Sequence, residues 1–312
     1  QHGVIQAYFL DVARGSGKVS GQDLDALCAP HRADPDRFLQ CAHGIGHGLM
    51  ALNGHRLPAA LEACDLIRDY TARVNCWGGA FMENIVAVTH PEHTAEAHAS
   101  LASGHGGSEH GGMNHGAMDH GGTNHEGMDH GAMAHGDSAP AWKPLDPADP
   151  LYPCDAVAEK YQNSCYLIQT AAILDGNHGD IAATALVCAT APAAMVRTCY
   201  SSLGRDITSY AARDPARTAE LCARAAAGEL DCLRGAAAAL YEVDRKPGDA
   251  LGLCRAVAGD ERKTACYQAA ARRIRASRPA PDAMTPVCAG AEAGYVEVCR
   301  AAAGLPRSAA AR

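Results

Sequence analysis

The sequence predicts an all-α protein: a right-handed superhelical solenoid of about seven disulfide-linked helical hairpins with a disordered His- and Met-rich insert. Three observations support this fold class. The 14 cysteines of the 312-residue chain recur in pairs at a nearly constant spacing. Proline and glycine stand where short helices begin and end. A single segment of low complexity interrupts the regular spacing.

The cysteine pairs define an internal repeat. The two members of a pair are 13, 12, 11, 11, 10, 12 and 11 residues apart, and first cysteines recur after 36, 90, 34, 34, 32 and 34 residues. A period near 34 is typical of helix-turn-helix solenoid units, so the single long interval contains an insert of roughly 56 residues. The predicted disulfides are Cys28–Cys41, Cys64–Cys76, Cys154–Cys165, Cys188–Cys199, Cys222–Cys232, Cys254–Cys266 and Cys288–Cys299.

Each repeat is predicted to contain a helix A and a helix B joined by a short turn. One helix A is expected from Pro215 to Ala227, because proline is tolerated in the first turn of a helix. A break at Gly228 then precedes the helix B that carries Cys232. On another helix B, apolar residues recur at the helical period and form one stripe: Val196, Cys199, Tyr200, Leu203, Ile207 and Tyr210. Each cysteine pair therefore flanks the turn of its own hairpin.

The repeat spacing divides the chain into five segments. His2 to Arg14 is similar to a helix B that lacks its cysteine, so we expect the natural protein to extend further towards the N-terminus. The predicted segments are a partial repeat at 1–27, repeats one and two at 28–88, the flexible insert at 89–149, repeats three to seven at 150–303, and a disordered tail at 304–312.

Composition and cysteine usage restrict the compartment and the class of partner. An even, periodic set of cysteines without any C-x-x-C favours disulfides over zinc or iron–sulfur sites, and reduced thiols would not need such regular spacing. Disulfides predict a periplasmic, secreted or cell-surface protein. The formal net charge of -8 gives no support for nucleic-acid binding. Without an apolar run of about 18 residues, we expect no membrane span in this chain.

The period and hairpin layout resemble those of tetratricopeptide and Sel1-like repeats. The resemblance covers about residues 28–88 and 150–303, without the W…L-G…Y…A…F…P signature of the tetratricopeptide unit and with a cysteine pattern those families lack. It implies a superhelical stack of hairpins and no particular activity. Solenoids of this kind commonly bind a protein or peptide on the concave face formed by their B helices.

The insert contains candidate ligands for soft metal ions. Between Gly104 and Gly136 a histidine recurs every fifth residue, and four of the histidines follow a methionine by two positions. Thioether sulfur suits Cu(I) or Ag(I), and imidazole suits copper, zinc and nickel. The tract resembles Met/His-rich segments of bacterial periplasmic copper- and silver-handling proteins. It therefore predicts copper, as Cu(I) or Cu(II), with zinc or silver as alternatives, whereas the competing interpretation is a solubilising linker. The candidate ligands are His105, His110, Met113, His115, Met118, His120, His125, Met128, His130, Met133 and His135.

A second candidate site lies on helix B of the first full repeat. His43 and His47 are four residues apart, and glycines occupy positions 44, 46 and 48 between and after them. Three glycines within five helical residues indicate close approach of another backbone or of a ligand. The repeat register places both histidines opposite the core stripe, with His2 and Glu83 or Met82 at nearby positions in adjacent repeats. The predicted metal ligands are His2, His43, His47 and Glu83; the alternative is a solvated or hydrogen-bonded histidine pair.

These features favour an extracytoplasmic copper-binding protein that sequesters or delivers the metal. The first alternative is a solenoid interaction scaffold. The second is a metal-dependent hydrolase or oxidase with its ion at His2, His43 and His47. Catalytic residues cannot be assigned, because no nucleophile or general base stands out beyond Glu83.

Overall fold

The computed structural model describes residues 5, 8, 9, 12, 19–90, 142–277 and 280–308. This part of the chain contains α-helices, short 3-10 turns and one isolated bridge between Asp146 and Asp149, and it contains no β-strand. The predicted all-α class is therefore confirmed. The helices are α1 (Gly21–Cys28), α2 (Pro35–Leu52), α3 (Leu57–Cys64), α4 (Tyr70–Thr89), α5 (Glu159–Tyr166), α6 (Thr170–Gly176), α7 (Ile181–Ala189), α8 (Val196–Tyr210), α9 (Pro215–Ala223), α10 (Glu229–Asp244), α11 (Pro247–Ala256), α12 (Asp260–Ser277), α13 (Met284–Ala289) and α14 (Val296–Ala302).

All seven predicted disulfides are present, and no cysteine is free. Each bridge joins the two halves of one hairpin, with Cα–Cα distances between 5.3 and 5.8 Å. The cysteines are almost fully buried, so the bridges lie inside the core. Such dense disulfide pairing is typical of proteins in an oxidising, extracytoplasmic compartment.

Local sequence signals explain where the helices begin. The side chains of Asp34, Asp69, Asp180 and Asp214 each accept a hydrogen bond from a backbone N–H in the first turn of the helix that follows. Proline occupies the first turn of α2, α3, α9 and α11, where its missing N–H removes no intrahelical bond. Helix α9 ends at Ala223, earlier than the predicted Ala227, because the chain tightens into a 3-10 turn at Ala226–Gly228.

The B helices stack along the length of the molecule and carry most of the core. Helix α2 packs on α4, α4 on α5, α8 on α10, α10 on α12, and α12 on α14. The predicted stripe on α8 is buried at Cys199, Tyr200, Leu203 and Ile207, whereas Tyr210 at its end is 53% exposed. The A helices pack against this stack, α3 on α2 and α4, α7 on α8, α9 on α10, and α11 on α10 and α12.

Repeat three departs from the regular hairpin. Its first cysteine, Cys154, lies in a series of turns rather than in a helix, and its helix B is divided into α5 and α6. The interruption frees the Leu167 carbonyl, which accepts hydrogen bonds from Ser202 and Arg205 of α8. Arg205 also pairs with Asp206, at 2.6 Å. These groups on α8 thus serve as structural anchors for the broken helix.

The stack continues across the insert, because repeat three packs directly on repeat two. The Asp65 carboxylate accepts hydrogen bonds from Trp77 Nε1 at 3.2 Å and from the Tyr161 hydroxyl at 2.6 Å. The Lys160 ammonium lies 2.5 Å from the same carboxylate, and the rings of Trp77 and Tyr161 meet edge to face. Trp77 is 4% exposed, so its ring lies in the core. Repeats two and three are therefore in direct contact although about 56 additional residues separate them in the sequence.

The first repeat also contacts the fifth and sixth repeats, far away in sequence. Arg245, just after α10, forms an ion pair with Asp36 at the start of α2. Arg273 of α12 lies 3.6 Å from the same carboxylate and 2.5 Å from Glu242. The solenoid is therefore curved enough to bring the start of α2 into contact with α12 and with the end of α10.

The predicted insert ligands from 104 to 136 and the end of the predicted tail, 309–312, lie outside the described residues. Within the described ranges, no helix combines the length and the apolar character that a membrane crossing requires.

Candidate functional site

The glycines around the histidine pair are explained by helix packing. A Cβ atom at Gly46 would collide with the Cys76 carbonyl oxygen of α4, and one at Gly79 would collide with the His43 carbonyl oxygen of α2. The backbones of α2 and α4 therefore touch at their crossing, which leaves no room for a side chain at either position. The predicted close approach of another backbone is confirmed.

The other two glycines of α2 face the N-terminal segment. A Cβ at Gly44 would lie 3.1 Å from Ile5, and a Cβ at Gly48 would overlap the Phe9 ring. Ile5 and Phe9 are helical and buried, so these two residues pack against α2. The glycines of α2 thus allow α4 to approach on one side of the helix and Ile5 and Phe9 to approach on another.

The structure brings three of the four predicted ligands of this site together. The rings of His43 and His47 meet edge to face, with centroids 5.0 Å apart. His47 Nδ1 lies 2.6 Å from a carboxylate oxygen of Glu83 on α4. The side chains of His47 and Glu83 are only 18% and 12% exposed. A charge-assisted contact this short and this shielded is stronger than a surface ion pair.

The remaining predicted ligands are not part of this cluster. Met82 packs against the hydrophobic core. His2 and the histidines and methionines of the insert lie outside the described residues. Within the described part of the chain, no group of three or more His, Cys, Asp or Glu side chains is arranged to hold a metal ion. The structured portion of the site therefore offers two imidazoles and one carboxylate that is already hydrogen-bonded to an imidazole.

A polar cleft of about 350 Å³ opens beside His43. It lies between the early and late B helices, and its lining residues come from α2, α4 and α12 and from α10 and its cap: Asp36, Leu39, Gln40, His43, Asn75, Glu242, Arg245 and Arg273. This is the concave face that the solenoid architecture predicted. The residues of α10 and α12 could not be placed here from the sequence, because they are about 200 positions away from His43.

Two ion pairs dominate the electrostatics of the cleft. The Arg245 side chain is partly buried, which by itself lowers the pKa of its guanidinium, but the hydrogen bond and charge of Asp36 outweigh burial and raise that pKa. Arg273 is paired with Glu242 at 2.5 Å. The two arginines and the two carboxylates balance one another, so His43 faces a polar cleft whose charged groups are already paired.

Replacing Glu83 with alanine is expected to lower the free energy of unfolding by about 1–3 kcal/mol, because the partly buried His47 imidazole loses its hydrogen-bond acceptor. Urea denaturation followed by circular dichroism measures the change. The matched control is Glu220→Ala, since Glu220 is 65% exposed and pairs only with a neighbour on its own helix. The control should change stability by no more than about 0.5 kcal/mol. Equal effects of the two substitutions would contradict a special role for the His47–Glu83 contact.

Comparisons with known proteins give no further assignment. No family model matches the chain, and neither the curated proteins nor the solved structures contain a significant match.

Proposed function

We propose that this protein binds copper in the bacterial periplasm, with the His/Met tract capturing the ion and the solenoid carrying the tract. The observation that carries the proposal is the combination of the M-x-H units with complete oxidation of the cysteines. Because all thiols are used in disulfides, thioethers and imidazoles are the soft ligands that remain. The role is sequestration or delivery of the metal.

The attachment of the insert supports this arrangement. Helix α4 ends at Thr89, the first residue of the predicted insert. Near the other end of the predicted insert, the Pro144 carbonyl accepts a hydrogen bond of 2.7 Å from the buried Asn84 side chain of the same helix. Asn84 and Thr89 are separated by roughly 8 Å along a helix. The two ends of the insert are thus held close together, which makes the tract a loop attached to one rigid helix.

The described flanks of the insert are attached to the helix that carries Glu83. Glu83 directly precedes Asn84 on α4, and it is bonded to His47. Thr89, at the end of α4, is less than two helical turns from Glu83. The chain therefore enters and leaves the insert beside the helix that contacts the histidine pair.

The test compares Cu(I) binding by the intact protein and by a tract-silenced variant, in which the seven tract histidines become asparagine and the four tract methionines become leucine. We expect the variant to lose most of the bound Cu(I) in a chromophoric chelator competition. Changing only the four methionines to leucine should weaken Cu(I) binding at least about tenfold, or 1.4 kcal/mol, while zinc binding by the histidines persists.

The matched control is Met195→Leu, which changes a methionine of the solenoid and should leave Cu(I) binding intact. A tract-silenced variant that binds as much Cu(I) as the natural chain would contradict the proposal. The tract would then be better explained as a solubilising linker.

The cleft favours a second candidate function, that of an interaction scaffold. In keeping with the resemblance to tetratricopeptide and Sel1-like repeats, the B helices provide a concave polar surface beside His43. Under this alternative, capture of a protein partner by the immobilised chain would be unaffected by silencing the tract and would be lost on disrupting the cleft with Asn75→Trp.

A further inference from the structure

We infer that His43 and His47 form a two-histidine site for a divalent transition-metal ion, and that Glu83 orients His47 instead of binding the metal. The inference deepens the proposed function, and it rests on that function only for the choice of copper as the ion. It adds to the loop a second site built on two rigid helices.

The spacing of the histidines suits chelation of one ion. Residues four apart on a helix lie on the same face, one turn above the other, and this spacing also positions the paired histidines of helical zinc sites. The two rings are 5.0 Å apart between centroids. Two metal–nitrogen bonds of about 2.0–2.1 Å require ligand atoms roughly 3.3 Å apart in a tetrahedral site. The two edge-to-face rings must therefore reorient when they bind one ion together.

The contact with Glu83 prepares His47 for metal binding. A carboxylate accepts hydrogen bonds, so the 2.6 Å contact places the imidazole proton on Nδ1. With that proton on Nδ1, the lone pair that a metal ion would use lies on Nε2, which is a buried atom. Metal-binding histidines typically donate their other ring N–H to a carboxylate, which fixes the tautomer and makes the ligand nitrogen more basic. Glu83 on α4 has this relation to His47 on α2, and the backbone contact between the two helices holds it in place.

The surroundings of His43 give an ion access to the pair. His43 lines the polar cleft. On the α4 side it faces Gly78, where even a Cβ atom would lie 3.6 Å from His43 Nδ1. The cleft charges are paired, Arg245 with Asp36 and Arg273 with Glu242, so they do not repel a cation.

The small number of protein ligands suits a site that binds a metal ion and releases it again. Within the described residues only two protein ligands are available, in agreement with the absence there of any larger metal-binding group. Imidazole nitrogen binds Cu(II) more strongly than the other divalent ions of the first transition series. A site of this kind holds Cu(II) and releases it to a carrier with more ligands.

The test uses the full-length tract-silenced variant in which His90, His93 and His98 are also changed to asparagine, so that no histidine of the insert can bind the probe. Titration with Cu(II) by calorimetry and electron paramagnetic resonance should show one ion per chain with two nitrogen ligands. Replacing His43 or His47 with alanine should weaken binding by at least about tenfold and remove one nitrogen from the spectrum. Glu83→Ala should weaken binding by about 10–100-fold. Glu83→Gln should have a smaller effect, because its amide oxygen still accepts from Nδ1.

The matched control is His178→Ala, since His178 is exposed and far from the pair in sequence. It should not change Cu(II) binding. Each variant is first checked for native helical content, and the count of nitrogen ligands then reports on the site independently of stability. Absence of Cu(II) binding by the tract-silenced chain would overturn the inference, as would unchanged binding in both histidine variants. A Glu83→Ala chain with lower stability but unchanged Cu(II) affinity would overturn the role given to Glu83.

The outcome is separable from that of the proposed function. If the tract fails to bind Cu(I) while the histidine pair binds Cu(II), the proposed function is wrong and the two-histidine site stands. If the tract binds Cu(I) and the pair binds nothing, the opposite conclusion follows.

Discussion

Reduction of the seven disulfides is expected to unfold this protein at neutral pH. Each bridge closes a loop of 10 to 13 residues, which contributes roughly 3 kcal/mol in the chain-entropy model. The combined contribution exceeds the 5–15 kcal/mol by which ordinary domains are stable. Several helices are also too short to persist alone, since isolated helices below about 12–15 residues are marginal in water.

The measurement is far-UV circular dichroism with thermal denaturation. Because the cysteines are buried, the protein is reduced in denaturant, and the denaturant is then removed with the reductant retained. The same procedure without reductant is the control and should restore the native melting transition. A reduced chain that regains native helicity and a cooperative transition would show that packing alone specifies the fold. Replacing only Cys222 and Cys232 with alanine should give a graded loss of about 3 kcal/mol.

Gly204→Ala is expected to destabilise the protein by about 2–4 kcal/mol, although alanine normally favours a helix over glycine. A Cβ atom at Gly204 of α8 would collide with the Cys232 carbonyl oxygen of α10. A Cβ at Gly235 of α10 would likewise collide with the Ser201 carbonyl oxygen of α8. The helices must therefore separate to admit even one methyl group, and the packing around both contacts is lost.

The matched control for Gly204→Ala is Gly248→Ala. Gly248 is also helical, but nothing lies within 4 Å of a Cβ built there. The control should be neutral or stabilising by up to about 1 kcal/mol, since alanine restricts the unfolded chain and favours the helix. Urea denaturation should therefore give effects of opposite sign for the same substitution. A neutral Gly204→Ala would mean that the α8–α10 crossing is looser than the structure indicates.

Helices α2 and α4 cross at the histidine pair in the same way as α8 and α10. The positions of the glycines at both crossings follow the repeat that the cysteine spacing predicts. Gly46 and Gly204 each lie five residues after the helix-B cysteine, while Gly79 and Gly235 lie three after it. The positions equivalent to His43 and His47 on α8 are Ser201 and Arg205. Both pairs of helices therefore cross through glycines at equivalent positions, and the two histidines are present in the first pair but not in the later one.

Three features of the structure were outside the reach of sequence analysis. The division of helix B in repeat three follows from local turns and from hydrogen bonds to α8, which no helical periodicity reveals. The role of Glu83 depends on which atom of His47 it meets. The cleft beside His43 depends on the curvature of the whole stack, because Arg245 and Arg273 come from distant repeats.

The sequence by itself determined the repeat, the seven disulfides, the all-α class and the composition of the His/Met-rich tract. These follow from local chemistry: cysteine spacing fixes which thiols can meet across a hairpin turn, and residue type fixes ligand softness. Only the tertiary structure decided that α2 and α4 touch at Gly46 and Gly79, that Glu83 meets His47 Nδ1, and that the early repeats contact the late ones. Those relations depend on the small rotation between successive hairpins, which accumulates along the stack and is set by side-chain packing over the whole molecule.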